Sequence, residues 1–114
     1  MTWEDLQEYI KEKIFLIGLT FIDEGGDIIE QYQTNGTVTE LTDDGLLKII
    51  RKDGSVFQMP YEKETIKKAE KGDYRVRANG QIIKDPDFIM TWKIVTTEDD
   101  NLDEIKKYGY IPAE

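Results

Sequence analysis

The sequence contains no cysteine and no histidine among its 114 residues. Without cysteine the chain can form neither a disulfide nor a thiolate metal site. Without histidine it lacks the side chain that most often acts as a general base near neutral pH and as a metal ligand. A single serine, Ser55, lies in the turn-like segment KDGSVF. A Ser-His-Asp or Cys-His nucleophile is therefore excluded by residue type, and nothing in the composition indicates a metal or a cofactor.

Basic residues are also scarce. The chain has 15 Lys and Arg residues against 24 Asp and Glu residues, which gives a net charge of −9. Nucleic-acid binding draws most of its strength from cations that neutralise phosphates, so this balance disfavours nucleic acid as a partner. Solubility is the ordinary explanation of such a charge, and a basic protein partner is also compatible with it.

Long apolar runs are missing as well. The longest, IFLIGLTFI at 14–22, has the length of a strand and not the ~20 residues of a membrane span. The start of the chain has no basic region followed by an apolar stretch and a small-residue cleavage site, so it does not read as a secretory signal. We therefore expect a cytoplasmic protein that does not enter a membrane. The length predicts a single domain, 1–114.

The periodicity of the apolar residues divides the chain into three segments. Residues 1–12 predict an N-terminal helix, with Thr2 as its cap and Asp5 three positions later. From 13 to 97 apolar residues alternate with a period of two between closely spaced turns, which predicts antiparallel strands joined by hairpins in a barrel or sandwich. Residues 98–114 begin with acids and predict a C-terminal helix and tail.

Two segments of the central region need separate interpretation. The charged segment YEKETIKKAEKG, 61–72, has Ile66 and Ala69 three positions apart and predicts a short helical insert. The following segment, 73–84, predicts a hairpin because Asn79-Gly80 suits a type I′ turn.

Glycine and acidic residues mark the limits of two other elements. The pattern in 28–41 predicts one long strand with a bend or bulge at Gly36, although Asn35-Gly36 alone would also suit a hairpin turn. In the C-terminal helix, Asp99 or Asp100 is the expected cap, and Gly109 is the expected end.

An uncharged polar stripe runs along the predicted strand 28–41. Every second residue from 31 to 39 is a neutral hydrogen-bonding side chain: Gln31, Gln33, Asn35, Thr37 and Thr39. A solvated strand face in so charged a chain is expected to carry Lys and Glu. The stripe therefore indicates a face that meets a partner, a ligand or a second copy of the chain, although Thr and Gln are also ordinary residues on an outer strand face. A bend at Gly36 would divide the stripe into two surfaces.

Two arginines alternate with apolar residues in DYRVRA. Arg75 and Arg77 project to one face of their strand, where two guanidinium groups can hold an anion or a partner's carboxylate. Cross-strand pairing with the many acids of the chain is the simpler interpretation. The binding residues predicted from sequence are thus Gln31, Gln33, Asn35, Thr37, Arg75 and Arg77.

Clustered acids offer two further interpretations. DDNLDE at 99–104 has partial calcium-loop spacing, but the later positions that need Gly and Glu hold Glu104 and Tyr110. Asp85 and Asp87 in DPDF form a carboxylate pair of the kind that glycosidases use, yet both are common turn residues beside a proline. Structural roles are favoured for both clusters.

Three stretches carry a resemblance to known proteins: GLTFIDEGGDIIEQYQTNGTV, DGSVFQMP and GDYRVRANGQIIKDPDFIMTWKIV. Together, over about residues 13–97, they resemble a group of short bacterial proteins of uncharacterised function. The resemblance implies a small SH3-like or Sm-like β-barrel and no particular activity. The charged segment 61–72 departs from the short Pro-rich link expected at that place.

The sequence thus predicts a mainly β protein with a helix at each end and a non-catalytic function. The first hypothesis is a protein-binding module, for instance an acidic immunity or antitoxin-type partner of a basic protein. The alternatives are a small-ligand or RNA-binding barrel and a carboxylate-only hydrolase. RNA binding needs a local basic patch, for which Arg51, Lys52 and the two arginines of DYRVRA are the candidates. A free strand edge also makes a homo-oligomer compatible with the sequence.

Overall fold

The computed structural model describes residues 2–76, 80–98 and 100–110. The chain is mainly β, with a helix near each end, as predicted. In chain order the elements are α1 (Trp3–Ile10), β1 (Ile14–Ile22), β2 (Ile28–Leu41), β3 (Leu46–Ile50), β4 (Val56–Pro60), a 3-10 helix (Lys63–Thr65), β5 (Ile66–Lys68), β6 (Asp73–Arg75), β7 (Ile82–Lys84), β8 (Phe88–Val95) and α2 (Leu102–Tyr108).

The predicted capping box starts α1. The backbone N–H of Asp5 donates to Thr2 Oγ1 at 3.1 Å, and the Asp5 carboxylate accepts from the backbone N–H of Thr2 at 3.2 Å. The helix buries Ile10 in the core, and its Gln7 side chain donates to the Leu41 carbonyl at 2.8 Å. The helix therefore lies against the sheet through its apolar side and is held to the end of β2.

Strand β1 lies inside the main sheet, whose strand order is β4-β3-β2-β1-β8-β5. It pairs antiparallel with β2 and parallel with β8. The sheet is thus mixed, and the prediction of a purely antiparallel one was wrong. The corner before β8 explains the direction: Asp87 N–H donates to the Ile14 carbonyl at 2.9 Å, and the Asp87 carboxylate accepts from Ile14 N–H at 2.7 Å. These bonds fix the starts of β1 and β8 side by side.

No pairing in the described part of the chain joins the edge strands β4 and β5, so a closed barrel is not found there. The β6–β7 hairpin forms a separate two-stranded sheet, in which Asp73 faces Lys84. This pairing agrees with the predicted hairpin. Its Asn79 turn residue lies outside the described residues.

Strand β2 changes partner along its length. Residues up to Thr37 pair with β1, whereas Thr37 to Leu41 pair with β3, with a bulge between Val38 and Glu40. At the change of partner, a Cβ atom on Gly36 would lie 2.4 Å from the Ile50 carbonyl oxygen. The prediction of one strand through Gly36, with an irregularity near it, is confirmed, and glycine is needed because β3 crosses so closely there.

The predicted helical insert in 61–72 is wrong except for one short turn. Only Lys63–Thr65 forms a turn of 3-10 helix, and Ile66–Lys68 is an edge strand. Ile66 pairs with Met90 of β8, and Ala69 N–H continues the contact by donating to the Asp87 carbonyl at 3.0 Å. Pairing with β8 overrides the weak helical spacing of Ile66 and Ala69.

The core fills one face of the sheet. Its fully buried side chains include Phe15, Ile17, Leu19 and Phe21 of β1 and Met90 of β8, with others from β2, β3, β4 and α1. Leu102 and Ile105 of α2 pack against this cluster from the side. The opposite face of β1, β2 and β8 remains for other contacts.

Helix α2 begins and ends as a capped helix. The cap is Asn101, whose side chain accepts from Glu104 N–H at 3.1 Å. The prediction of Asp100 as the cap was wrong, because the Asp100 carboxylate accepts instead from Thr97 N–H at 2.7 Å. The other predicted cap, Asp99, lies outside the described residues. Gly109 ends the helix with φ 78°, as predicted.

Candidate functional site

The candidate site lies on the face of β1, β2 and β8 that is turned away from the core, here called the outer face. Directly paired residues on neighbouring strands project to the same side of a sheet. The register therefore places four rows of side chains on this face: Asn35–Leu16–Ile89, Gln33–Gly18–Thr91, Gln31–Thr20–Lys93 and Ile28–Ile22–Val95.

The outer face carries no carboxylate in these rows, although the chain has 24 acidic residues. Glu30, the one acid in the part of β2 that pairs with β1, is opposite the core residue Phe21 and binds Lys106 Nζ at 2.6 Å. This ion pair holds the pKa of Lys106 above its usual range, chiefly through the hydrogen bond to Glu30. The acidic surface of the protein is thus interrupted by a nearly uncharged face.

A groove of about 700 Å³ runs along the outer face. Gly18, Thr20 and Thr91 contribute to its floor, and Gln31 and Gln33 of β2 line one side. A Cβ atom added to Gly18 would meet nothing within 4 Å, so the missing side chain opens space in the middle of the groove.

The β6–β7 hairpin lines the groove from above through Tyr74, Arg75 and Val76. Val76 is 5% exposed, and Asn35 Nδ2 donates to Gln81 Oε1 at 3.4 Å. These contacts set the hairpin over the Asn35 end of the face. The groove therefore extends from the hairpin toward the row that contains Ile22.

Three of the residues predicted from sequence come together here: Gln31, Gln33 and Arg75 all line the groove. Asn35 lies beside it, bonded to the hairpin. Thr37 is exposed in the part of β2 that pairs with β3 and does not line the groove.

The stripe is thus divided at Gly36. Thr39 donates to the Lys48 carbonyl at 3.3 Å and is also absent from the groove lining. Arg77 lies outside the described residues.

Arg75 is the one charged residue among the described residues that line the groove. Its side chain is exposed and forms no ion pair with any residue that the structure describes. Ile82, opposite it in the hairpin, offers no charge. The simpler interpretation of Arg75, an ion pair with an acid on the neighbouring strand, is therefore not seen in the described part of the chain.

Arg51 has a structural role. Its guanidinium donates to the Lys106 carbonyl at 2.9 Å, to the Lys107 carbonyl at 2.5 Å and to Tyr32 Oη at 3.0 Å. It also lies 4.6 Å from the centroid of the Phe57 ring. Because these groups occupy the guanidinium, Arg51 is not free to join Arg75 in a basic patch for nucleic acid.

The two carboxylates of DPDF hold backbone. Asp85 accepts from Gly72 N–H at 2.9 Å, and Asp87 accepts from Ile14 N–H at 2.7 Å. In the acidic stretch before α2, Asn101 is the helix cap and Asp103 lies 3.3 Å from Lys106 Nζ. No cluster of metal-binding side chains occurs in residues 2–76, 80–98 and 100–110.

Gly18, Thr20 and Thr91 were not predicted from the sequence as groove residues. The segment KIFLIGLTFI is apolar on both faces, yet Gly18 and Thr20 share the outer face of β1 and are only half-buried. The sequence did carry a signal for the groove: Gly18 is the one small residue of β1, Thr20 is its one polar residue, and both lie at successive outward positions.

None of the described helices has the length and apolarity needed to cross a membrane. No protein-family model, curated protein or solved structure matches the chain. The candidate site therefore rests on the geometry of its residues.

Proposed function

We propose that this protein is a non-catalytic protein-binding module whose groove on the outer face holds a segment of a partner protein. One observation carries the proposal. Gln31, Gln33 and Arg75, from two distant parts of the chain, line a single open groove whose floor is left empty at Gly18. The neutral amide of Gln31 can hydrogen-bond a partner, whereas an amide supplies neither a nucleophile nor a general base.

The surface outside the groove supports a basic partner. The chain carries a net charge of −9, but no acid lies in the four outer-face rows, so the acidic residues are distributed around the groove rather than in it. Such a field accelerates encounter with a positively charged protein. The proposed function includes, as its concrete version, an immunity or antitoxin-type protein that binds a basic partner.

The finer fold assignment is also a proposal. A long strand that bends, changes partner and carries a bulge is a common device for curving a small sheet toward a barrel. β2 has these features. Together with the sequence resemblance, they support an SH3-like or Sm-like relative of short cytoplasmic bacterial proteins.

A test of the proposed function fills the groove without disturbing the core. In Gly18→Val the new methyl groups enter the open space above β1, and valine suits a strand. Gly18→Ala is the matched control, because a single Cβ leaves most of the groove open. Tagged wild-type protein and both variants are incubated with nuclease-treated lysate of the source cell at low and at high salt, and the retained proteins are identified by mass spectrometry.

The proposed function requires a protein that wild type and Gly18→Ala retain and that Gly18→Val does not. Release of that protein at high salt supports the basic-partner version. Equal retention by all three forms, or no retention by any of them, is contrary to binding in the groove.

A small molecule is the second candidate ligand. The groove volume of about 700 Å³ falls within the range of small-ligand pockets, which is about 300–1,000 Å³. A metabolite screen by thermal shift on wild type and Gly18→Val distinguishes it. A compound that stabilises only the wild type favours the small-ligand alternative.

A further inference from the structure

We infer that the partner segment lies on the outer face with a fixed polarity: its basic residue covers the row Ile28–Ile22–Val95 at one end, and its acidic residue lies beside Lys67 at the other. This inference rests on the proposed function and specifies the chemistry of the segment. It follows from the opposite charges at the two ends of the outer face and from the exposed aliphatic side chains at one of them.

One end of the outer face is basic. Residues 63–84 carry seven Lys and Arg against three Asp and Glu, whereas the rest of the chain carries eight against 21. This segment contains β5 and the β6–β7 hairpin. The bonds from Asn35 to Gln81 and from Ala69 N–H to the Asp87 carbonyl hold both at the Asn35 end of the face. No ion pair in the described part of the chain involves this segment, so its positive charge is not neutralised there.

Lys67 brings this positive charge onto the outer face itself. It is exposed and pairs with Ile89, so it extends the row that contains Ile89 by one strand. Arg75 differs, because it pairs with the exposed Ile82 on the side of the hairpin that is turned away from the sheet. A carboxylate of the partner segment at this end of the face therefore meets Lys67.

The other end of the outer face is acidic. The β1–β2 turn contains Glu24 and Asp27. Thr96 N–H donates to the Ile22 carbonyl at 2.8 Å, which holds the residues after β8, including Glu98, beside that turn. The three acidic side chains are exposed and form no ion pair with any residue that the structure describes. Their carboxylates are therefore available to a cation of the partner.

The face between these carboxylates is apolar. Ile28 is 63% exposed and Val95 is 61% exposed, and both are paired with Ile22 of β1. Lysine and arginine combine an apolar stem with a charged head. Such a side chain covers the aliphatic row with its stem and reaches the surrounding carboxylates with its head. Lys93 in the preceding row offsets one negative charge and leaves this end acidic.

The two ends are far enough apart to act separately. The four rows extend from Leu16 to Ile22 of β1, or about 20 Å. The Debye length is about 8 Å at about 0.15 M ionic strength, so each end then attracts only the charge nearest to it. A segment that satisfies both ends therefore carries its opposite charges about six residues apart.

The experiment uses synthetic peptides as the probe. A library of random decapeptides is selected on the wild-type chain at about 0.15 M NaCl. Enriched peptides that lose binding in Gly18→Val are then synthesised, and their Kd values are measured by fluorescence anisotropy. Selection for dependence on Gly18 tests the groove separately from the polarity of the bound segment.

Three further variants test the polarity. Glu24→Lys/Glu98→Lys reverses the charge of the acidic end, and Lys67→Glu reverses the charge on the face at the basic end. Glu4→Lys/Glu8→Lys is the matched control. It changes the net charge as much as the first variant does, but on exposed positions of α1, which packs on the core face of the sheet.

The inference predicts losses that depend on the end. Glu24→Lys/Glu98→Lys weakens binding about three- to tenfold and Lys67→Glu about threefold, because each exchanges an attraction for a repulsion. The control binds as wild type does. Replacing the basic residue of the peptide by Gln removes the effect of Glu24→Lys/Glu98→Lys and leaves the effect of Lys67→Glu.

A nitroxide on the peptide locates its two ends. Next to the basic residue it should broaden the amide NMR signals of Ile28 and Val95, and next to the acidic residue those of Lys67 and Ile89. Broadening at the opposite ends would overturn the inferred polarity.

Three other results also overturn the inference and are distinguishable. Peptides that depend on Gly18 but bind equally to the charge-reversed proteins and to wild type retain the groove and refute the polarity. Self-association of wild type in sedimentation that Gly18→Val abolishes would assign the face to a second copy of the chain. If selection yields no peptide that depends on Gly18, then neither the groove nor the polarity of its ligand stands.

Discussion

Glycine occupies the central strands at two positions for opposite reasons. Gly18 faces outward, and its missing side chain leaves open space in the groove. Gly36 is paired with Phe15 on the core side, where β3 crosses so closely that a Cβ atom would lie 2.6 Å from Ile49 Cγ2. Packing thus requires the glycine at position 36, whereas packing alone would allow a larger residue at position 18.

The first prediction compares these glycines. Gly36→Ala forces the Cβ atom against the Ile50 carbonyl and is expected to lower the free energy of unfolding by about 1–3 kcal/mol. Gly18→Ala is expected to change it by less, and in the stabilising direction, because glycine weakens a strand by about 0.5–1 kcal/mol. Urea denaturation of both variants measures the difference. Equal midpoints would contradict the close approach of β3 at Gly36.

A second residue-scale prediction concerns the β3–β4 turn. The Ser55 hydroxyl and backbone N–H donate to the same oxygen of Asp53, at 2.6 and 2.9 Å. These hydrogen bonds, with the hydroxyl first, hold the pKa of Asp53 below its usual 3.8. Because the folded-state pKa is lowered, this contribution to stability is present above the usual pKa and is lost as the pH falls through the lowered one.

Removing the hydroxyl tests this cause. Ser55→Ala is expected to raise the pKa of Asp53 toward its usual value, but only in part, since the backbone N–H of residue 55 remains. Titration of the Asp53 carboxyl carbon by NMR in both proteins measures the shift. An unchanged pKa would show that the hydroxyl bond does not persist in solution.

At the scale of elements, helix α2 is held by polar side chains from outside the helix as well as by apolar packing. Arg51 donates to the last carbonyls of the helix and to Tyr32, and Lys106 of the helix binds Glu30 of β2. The helix has only seven residues, too few to be stable alone. Its position at the side of the core therefore depends on these bonds together with the packing of Leu102 and Ile105.

The third prediction follows from that dependence. Arg51→Lys retains the charge but cannot reach two carbonyls and a hydroxyl with one compact ammonium, so we expect a loss of about 1–2 kcal/mol in the free energy of unfolding. Hydrogen exchange should show the loss of protection first in α2. Lys52→Gln, at the exposed neighbouring position, is the control and should leave α2 unchanged. Undiminished protection of α2 in Arg51→Lys would mean that apolar packing alone holds the helix.

Local signals predicted most elements, and contacts between distant segments explain the errors. The capping box at Thr2 and the glycine at position 109 are local and were predicted correctly. The direction of β8 depends on bonds between Asp87 and Ile14, which no local pattern reveals.

The candidate site shows the same limit. Alternation identified Gln31 and Gln33, and DYRVRA identified Arg75, but only tertiary structure brings them to one groove. The bend that separates Thr37 from them follows from the crossing of β3.

The whole molecule carries its negative charge within a small volume. Its principal extents are 39 × 36 × 26 Å, and its net charge is −9. At about 0.01 M ionic strength the Debye length is about 30 Å, so charges across the whole molecule repel one another, whereas at about 0.15 M it is about 8 Å. Self-repulsion therefore opposes the compact state mainly at low salt.

The fourth prediction is a stabilising effect of salt. Raising NaCl from about 10 to about 150 mM at neutral pH is expected to raise Tm by about 2–5 °C. The same change near pH 4.5, the isoelectric point of the sequence, should have little effect because little net charge remains to be screened. Thermal unfolding followed by circular dichroism measures both. A salt effect of equal size at the two pH values would assign it to something other than repulsion.

The parallel pairing of β1 with β8 also sets an order of events in time. Ile14 and Asp87, which begin the two strands, are separated by 73 positions. At synthesis rates of about 5–20 residues per second, β1 waits roughly 4–15 s on the ribosome before its second neighbour exists. During that interval the most apolar strand of the protein has one edge without a partner, and such an edge can pair with any other extended chain. A nascent chain of this protein is therefore most exposed to misassembly before its last quarter has been made.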